Sequence, residues 1–323
     1  MPARRPIVAV VGLGTMGCGI AVAALAHGMD VRVVDADEAA TAAGCDRLAR
    51  RIRGHVESGL LGPELLSGLD GVVRATGFPD VGDGADVVVE AVPEEWDVKR
   101  EVLWALSTAS PAVLATNTSA FPVEELASSV NDPSRFLGVH FFNPAEWIPG
   151  VEVVTGTQTS QGALRSAMSL LTQMAKEPTV VASSPGFLAN RLQLALFAEC
   201  MRCVDEGLAT PEDIDRVVRT TFGFRLPAFG PFAVADMAGL DVYGSILTTL
   251  AAAYGTRFEV PDSLRALLDS GRFGVKAGAG FATYSTAQTD RLIAQRDSAY
   301  SRLAASVPSP PAVSPSTTAR GTA

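Results

Sequence analysis

Residues 7–35 read IVAVVGLGTMGCGIAVAALAHGMDVRVVD, and this stretch decides the fold. Ile7 to Val11 is an unbroken apolar run rich in β-branched residues, the pattern of a parallel strand buried on both faces. It runs directly into Gly12-Leu13-Gly14-Thr15-Met16-Gly17, then into a helical stretch to about His27, then into the strand Val31–Val34 ending at Asp35. Strand, glycine turn, helix, strand and acid in this order form a dinucleotide-binding unit. Gly12 permits the tight turn, Gly14 lets a pyrophosphate approach the backbone, and Gly17 lets helix and strand pack closely. Thr15 and Met16 open the helix, whose free amides face the phosphates. Asp35 is placed to accept hydrogen bonds from the adenosine ribose and to repel a 2′-phosphate, which favours NAD over NADP.

Outward from this unit the same alternation continues. Asp86 to Val92 (DVVVEAV) is a second buried strand ending at Pro93-Glu94-Glu95, and the helix after it carries Lys99 in its first turns. Val113 to Thr116 is the next strand, feeding Asn117-Thr118-Ser119 before a helix near Pro122. Small polar residues at the carboxyl ends of parallel strands sit where α/β folds bind ligands, so Ser119 reads either as a ligand contact or as a turn and cap residue. Residues 135–154, RFLGVHFFNPAEWIPGVEVV, follow. They place His140 at the end of one strand and Glu152 in the next, close enough across a short connection for one to take a proton while the other orients it.

A helix over 163–174 and a strand over 178–182 precede Ser183-Ser184-Pro185-Gly186, where the chain breaks. One long helix is expected over 187–206, with Asn190 near its start, facing back toward the cleft. The rest to about Tyr284 reads as helical, interrupted at 223–230 and 271–280. The expected architecture is an α/β, doubly wound Rossmann-type domain over 1–184 and an all-α domain over 185–300. A Pro/Ser/Thr-rich, disordered tail is expected over 301–323.

With 47% hydrophobic and 19% charged residues the chain is globular. Its net charge of −9 argues against a nucleic-acid surface. No apolar run is long enough for a membrane span. The four cysteines are scattered, which points to a reducing compartment such as the cytoplasm, and Cys200 and Cys203 lack a second ligand pair, so no metal site is expected. Arg47, Arg50, Arg51 and Arg53 cluster on the polar helical stretch 36–70. They read either as a solvated face or as a site for the phosphates of a carrier such as coenzyme A.

Together GLGTMG…VVD, VVVEAVPE with Lys99, NTS, GVHFFNP, VEVV, SSPGFLANR and GPFAVADMAGLD resemble the 3-hydroxyacyl-CoA dehydrogenase family, in order and over residues 7 to about 284. The resemblance implies NAD-dependent oxidation of the 3-hydroxyl of a 3-hydroxyacyl thioester, such as 3-hydroxybutyryl-CoA, as in fatty acid metabolism. It implies His140 as catalytic base with Glu152 as its partner. Ser119 then bonds the substrate's 3-oxygen and Asn190 helps hold the substrate. Asp35 binds the adenosine ribose, and Glu94, Lys99, Asn117 and Asn143 line the cofactor or active site. A homodimer formed through the helical domain is also implied.

The chain departs from the common family pattern at Ala145-Glu146-Trp147-Ile148-Pro149-Gly150, where a lysine near 149 is usual. Ile-Pro or Leu-Pro here resembles branches acting on other 3-hydroxy acids, gulonate- and carnitine-type dehydrogenases among them. Ala120 replaces a second serine, and Arg225 brings a cation that could meet an acidic substrate group, a carrier phosphate or a surface acid. Alternatives are the same chemistry on a carrier-protein thioester or a free 3-hydroxy acid, and a non-catalytic NAD-binding protein on the same fold. The 3-hydroxyisobutyrate and 6-phosphogluconate dehydrogenases also begin GLGxMG. They use a lysine on the interdomain helix, and residues 187–206 contain none.

Overall fold

The computed structural model describes residues 4–109 and 111–306. The expected first strand is β1 (Ile7–Val11), followed by α1 (Thr15–Ala26) and β2 (Asp30–Val34). The polar stretch that follows folds as two helices, α2 (Glu38–Glu57) and α3 (Glu64–Asp70). A short strand β3 (Val73–Arg74) and helix α4 (Phe78–Gly82), neither expected from the sequence, lead into β4 (Val87–Glu90). Two residues of strand and five of helix are too short to leave a periodic signature. The unit continues with α5 (Trp96–Ser107), β5 (Leu114–Thr116), α6 (Val123–Ala127), β6 (Phe136–Phe141), β7 (Gly150–Thr155), α7 (Gln161–Gln173) and β8 (Glu177–Val181).

The eight strands form one sheet in the order β3-β2-β1-β4-β5-β6-β7-β8. From β3 to β6 neighbours are parallel; β7 runs antiparallel to β6, and β8 is parallel to β7. Order reverses where β1 sits between β2 and β4, the switch point at which doubly wound sheets bind nucleotides. The central strands are apolar on both faces because both are covered. Val8 and Val10 pack with α1, α2 and α7, while Ala9 and Val11 pack with α5 and α6.

Chain contacts divide the molecule into two units, up to Glu199 and from Cys200. The division falls inside α8 (Ala189–Asp205) rather than at the Ser183–Gly186 break. The start of α8 is bonded to Glu152 of β7 and to the Ser119 carbonyl in the turn after β5. The second unit is helical: α9 (Pro211–Thr220), α10 (Phe222–Arg225), α11 (Pro231–Ala238), α12 (Leu240–Tyr254), α13 (Asp262–Asp269) and α14 (Thr286–Ser306). The 223–230 interruption thus begins with a helical turn.

Ala235, Leu240 and Leu264 form the core of the second unit. Buried Asp236 ties α11 to the loop before α14, accepting from the amides of Phe281 and Ala282 and from the Tyr284 hydroxyl. Burial and this carboxylate push the Tyr284 hydroxyl up to about 12. The expected tail begins too early: residues 301–306 complete α14, and 307–323 lie outside the described residues. Among the described residues no helix is long and apolar enough to cross a membrane.

Candidate active site

The glycine turn has the geometry a dinucleotide needs. Gly12 adopts φ +88°, and a Cβ there would lie 2.8 Å from the Ala91 carbonyl oxygen, so only glycine fits. A Cβ on Gly17 would lie 1.8 Å from the Gly12 oxygen. Gly14 has no protein atom within 4 Å of its Cβ position, which leaves its backbone open at the uncapped N-terminus of α1. Asp35 follows β2; one carboxylate oxygen accepts from the Leu13 amide at 2.8 Å, tying it to the glycine turn. Beside it a cavity of about 500 Å³, lined by Asp35, Arg74, Thr76 and Phe78, has room for an adenosine. These residues fit NAD: the turn and the α1 N-terminus would hold the pyrophosphate and Asp35 the ribose.

His140 and Glu152 are direct partners in the antiparallel register of β6 and β7. His140 Nδ1 lies 2.8 Å from Glu152 Oε2, and both side chains are buried. An ionised carboxylate only accepts, so Nδ1 carries the proton and Nε2 presents its lone pair. Nε2 has no hydrogen-bond partner among the described residues, and no enclosed side-chain nitrogen or oxygen lacks one, so Nε2 opens to free space. Phe142 and Phe187 flank the ring at 4.5 and 5.7 Å between centroids.

The second oxygen of Glu152 has a role that no spacing in the sequence reveals. It accepts from the amides of Leu188 (3.0 Å) and Ala189 (2.8 Å), which open α8. Gly186 (φ +71°) and Phe187 (φ +51°) turn the chain so that these amides point at the carboxylate. Only the SSPGFLANR motif hinted at this turn, through its Pro-Gly pair.

A second network holds the Asn117-Thr118-Ser119 turn. Glu94 accepts from Thr118 Oγ1 and from the amides of Ser119 and Ala120. Burial works to raise the Glu94 carboxyl, but these donors and the Lys99 charge outweigh it and hold it below the usual range. Lys99 is 1% exposed and bridges Glu90 (2.9 Å) and Glu94 (3.1 Å). It lies beneath the surface, where it holds Glu94 in place. Glu90, fully buried and also bonded to Thr116 Oγ1, went unread in the sequence, although an acid ending an apolar strand nine residues before a lysine was a signal.

Asn190 Nδ2 donates to the Ser119 carbonyl at 3.2 Å, joining α8 to this turn. Asn117 Oδ1 accepts from the Phe141 amide, so its side chain braces the end of β6. Asn143 is exposed just past β6, before a cis peptide to Pro144. No hydrogen bond joins Ser119 Oγ to His140.

The arginines of α2 do not assemble into one cluster. Arg47 Nε donates to the Leu13 carbonyl, and Arg51 forms a fork on Glu146. Arg50 and Arg53 are exposed and make no hydrogen bond or ion pair among the described residues. Arg225 is likewise exposed, on α10 of the second unit.

Two family models cover the described chain almost completely. One, the 3-hydroxyacyl-CoA dehydrogenase NAD binding domain, matches residues 7–184; the other, the C-terminal domain of the same family, matches residues 186–284. Among curated proteins, the 5-formyl-3-hydroxy-2-methylpyridine 4-carboxylate 5-dehydrogenase of Mesorhizobium japonicum is 34% identical, over 90% of this chain and 94% of its own. A "probable 3-hydroxybutyryl-CoA dehydrogenase" of Bacillus subtilis is 35% identical over 85% of this chain and 96% of its own. Among solved structures, a 3-hydroxyacyl-CoA dehydrogenase of Archaeoglobus fulgidus superposes with a TM-score of 0.76 at 30% identity, over 93% of this chain and 99% of that one. The chain belongs to the 3-hydroxyacyl-CoA dehydrogenase family, NAD-dependent oxidoreductases acting on a CH–OH group.

Proposed function

We propose that this enzyme oxidises the 3-hydroxyl of a 3-hydroxyacyl thioester, of the 3-hydroxybutyryl-CoA type, to the 3-keto product, with His140 as general base. The observation that carries the reading is the His140–Glu152 pair, with Nδ1 held by a buried carboxylate and Nε2 unpaired. NAD, which the glycine turn and Asp35 would hold, would supply the acceptor for the C3 hydride. As the hydride leaves C3, the hydroxyl proton passes to His140 Nε2 and the C–O bond becomes a carbonyl. Glu152, fixed by the Leu188 and Ala189 amides, holds its negative charge beside the imidazolium that forms. Ser119 bonds the 3-oxygen, and Asn190 keeps that turn in place through the Ser119 carbonyl.

NADH formation with 3-hydroxybutyryl-CoA, measured for the wild type beside His140→Ala, tests this. Turnover should collapse in the variant while NADH binding persists; equal turnover would remove His140 from the mechanism.

A second reading, the same chemistry on a carrier-protein thioester or a free hydroxy acid, draws on the unusual 145–150 segment. It also draws on the Mesorhizobium relative, which is named for a pyridine carboxylate rather than a thioester. We further propose a homodimer in the cytoplasm. No residue of α8 is buried, and Leu192, Leu194 and Phe197 are each 59% exposed, more apolar surface than a lone helix in water favours. Sedimentation velocity would show a monomer if this is wrong.

A further inference from the structure

The segment that sets this chain apart from its commoner relatives is anchored by a charge cluster that the chemistry above does not use. Glu146, its side chain 2% exposed, receives the Nε–Nη2 edge of the Arg51 guanidinium: Nε to Oε1 at 2.7 Å and Nη2 to Oε2 at 2.8 Å. His55 Nε2 donates to the same Oε1 at 2.9 Å. The remaining arm of Arg51, Nη1, donates to the Thr15 carbonyl at 3.0 Å, in the first turn of α1. Buried Lys176 holds the segment from below, through the carbonyls of Ala145 (2.6 Å) and Ile148 (2.9 Å). Gly19 of α1 lies so close that a Cβ there would sit 2.9 Å from Glu146 Oε2.

Arg47, Arg51 and His55 are spaced four apart, so they share the face of α2 that lies over the glycine turn. All three are taken by internal acceptors: the Leu13 carbonyl, the Thr15 carbonyl and Glu146. Arg50 and Arg53 lie off that face, and Arg53 borders a separate cavity with Asp70 and Arg74. The Arg51 and His55 donors on this face are therefore already satisfied. With its Nε–Nη2 edge on Glu146 and Nη1 on the Thr15 carbonyl, the Arg51 guanidinium has no complete edge left for a phosphate. Beyond the cluster, the segment turns Trp147 and Ile148 outward, with the Trp147 ring edge-on to His55 at 5.1 Å. What this wall offers a ligand is apolar surface.

We propose that Glu146 is a specificity-determining residue: it stands as the internal counter-anion to Arg51 and acceptor for His55, so that the enzyme recognises the acyl part of its substrate and not the phosphates of a carrier. The proposal rests on the 3-hydroxyacyl reading above. The substrate class it names is a compact 3-hydroxyacyl group whose carrier is interchangeable, whether phosphorylated, unphosphorylated or absent.

The test compares CoA with pantetheine, which has the same thiol arm without phosphates, by calorimetric titration of the NADH-bound enzyme. Wild type should bind the two within about tenfold of each other, since a phosphate grip by a charged donor would add about 10–100-fold. Glu146→Gln keeps the side-chain volume but turns a donor toward Arg51. It should free the guanidinium and tighten CoA by about tenfold or more with pantetheine unchanged, and Arg51→Gln in the same chain should cancel the gain. Arg51→Gln alone, whose amide can still donate to Glu146, guards against a misfolded Glu146 variant and should leave the CoA-to-pantetheine ratio as in wild type.

The proposal is overturned if wild type prefers CoA and Arg51→Gln abolishes that preference, or if folded Glu146→Gln shows no gain. Turnover of 3-hydroxybutyryl-CoA beside 3-hydroxybutyryl-pantetheine separates the two readings. Failure of both thioesters rejects the thioester as substrate, while the binding ratios still decide the role of Glu146.

Discussion

Replacing Glu152 by glutamine tests the centre of the mechanism, because the structure fixes what the new side chain can do. Glu152 makes three hydrogen bonds, one from His140 Nδ1 and two from the amides of Leu188 and Ala189. A carboxamide has one oxygen and one NH2 and must choose between these partners. With its oxygen on His140, the NH2 would face two backbone donors; each stranded donor costs about 1–3 kcal/mol, or about 2–6 kcal/mol for both. With its oxygen on the amides, it loses only the charged bond to the ring, worth about 1.5–3 kcal/mol. The second arrangement is the cheaper, and it places an N–H donor against Nδ1. Nδ1 must then accept, the ring proton moves to Nε2, and the base no longer has a lone pair on its open side. The barrier should rise by the full value of general-base assistance, about 10²–10⁴-fold in kcat, which is about 3–5 kcal/mol. NADH affinity should change little, because none of these atoms belongs to the glycine turn. Single-turnover NADH formation gives the rate, and nitrogen chemical shifts of His140 report the tautomer. A variant within about threefold of the wild-type rate, or one whose ring keeps its proton on Nδ1, would refute this account of the pair.

Four other substitutions probe the scaffold around the site. Lys99→Met leaves the fully buried Glu90 without its cation and should lower unfolding stability by about 3–5 kcal/mol, read from urea denaturation; a loss under about 1 kcal/mol would mean the bridge is not what holds the Glu94 turn. Gly14→Ala and Gly17→Ala should part company in thermal melts. The first has free space around its Cβ and should fold normally yet bind NADH about tenfold more weakly. The second places its methyl 1.8 Å from the Gly12 oxygen and should not yield stable protein. Finally, burial works to raise the Glu146 carboxyl, but hydrogen bonds from Arg51 and His55 win and depress it below the ordinary 4.5. A depressed acid stabilises the fold above its ordinary value and loses that effect as pH falls through its folded value. The Tm gap between wild type and Glu146→Gln should therefore hold down to about pH 4.5 and narrow below it; a gap that widens on acidification would contradict the sign.

Sequence spacing carried far where function depends on backbone pattern. The order of strand, glycine turn, helix, strand and Asp35 requires a parallel sheet with a switch point at β1, and the structure has one. Likewise, the twelve positions from His140 to Glu152 span a strand end, a loop and a return strand, and the two face each other in register. Spacing misled where a side chain's partner lies far along the chain. Arg47, Arg50, Arg51 and Arg53 look like one basic patch because they crowd one helical stretch. Yet periodicity puts only Arg47 and Arg51 on the face over the glycine turn, and Glu146, ninety-five positions from Arg51, neutralises it. Lys99 shows the same limit: the resemblance places it among the residues lining the cofactor or active site, and its burial between two acids is set by partners that spacing does not name.

This difference explains why the chemistry of the chain is easier to read than its substrate. The proposed hydride-transfer site needs a few groups held to a fixed geometry, and local elements hold them: β6 and β7 set the His140–Glu152 pair, and the turn into α8 sets the second oxygen of Glu152. Substrate choice depends instead on which charges remain free once the fold has paired the rest, and that is a property of the whole unit. Glu146 makes the point. In the sequence it is one acid in a loop of unusual composition. In the fold it removes the Arg51 charge and the His55 donor from the groups available to a ligand. A relative with a similar glycine turn and proposed catalytic pair, but no acid at this position, would present those donors to its substrate. Two enzymes with the same reaction at C3 would then differ in what they ask of the carrier, and a single carboxylate at position 146 would set that difference.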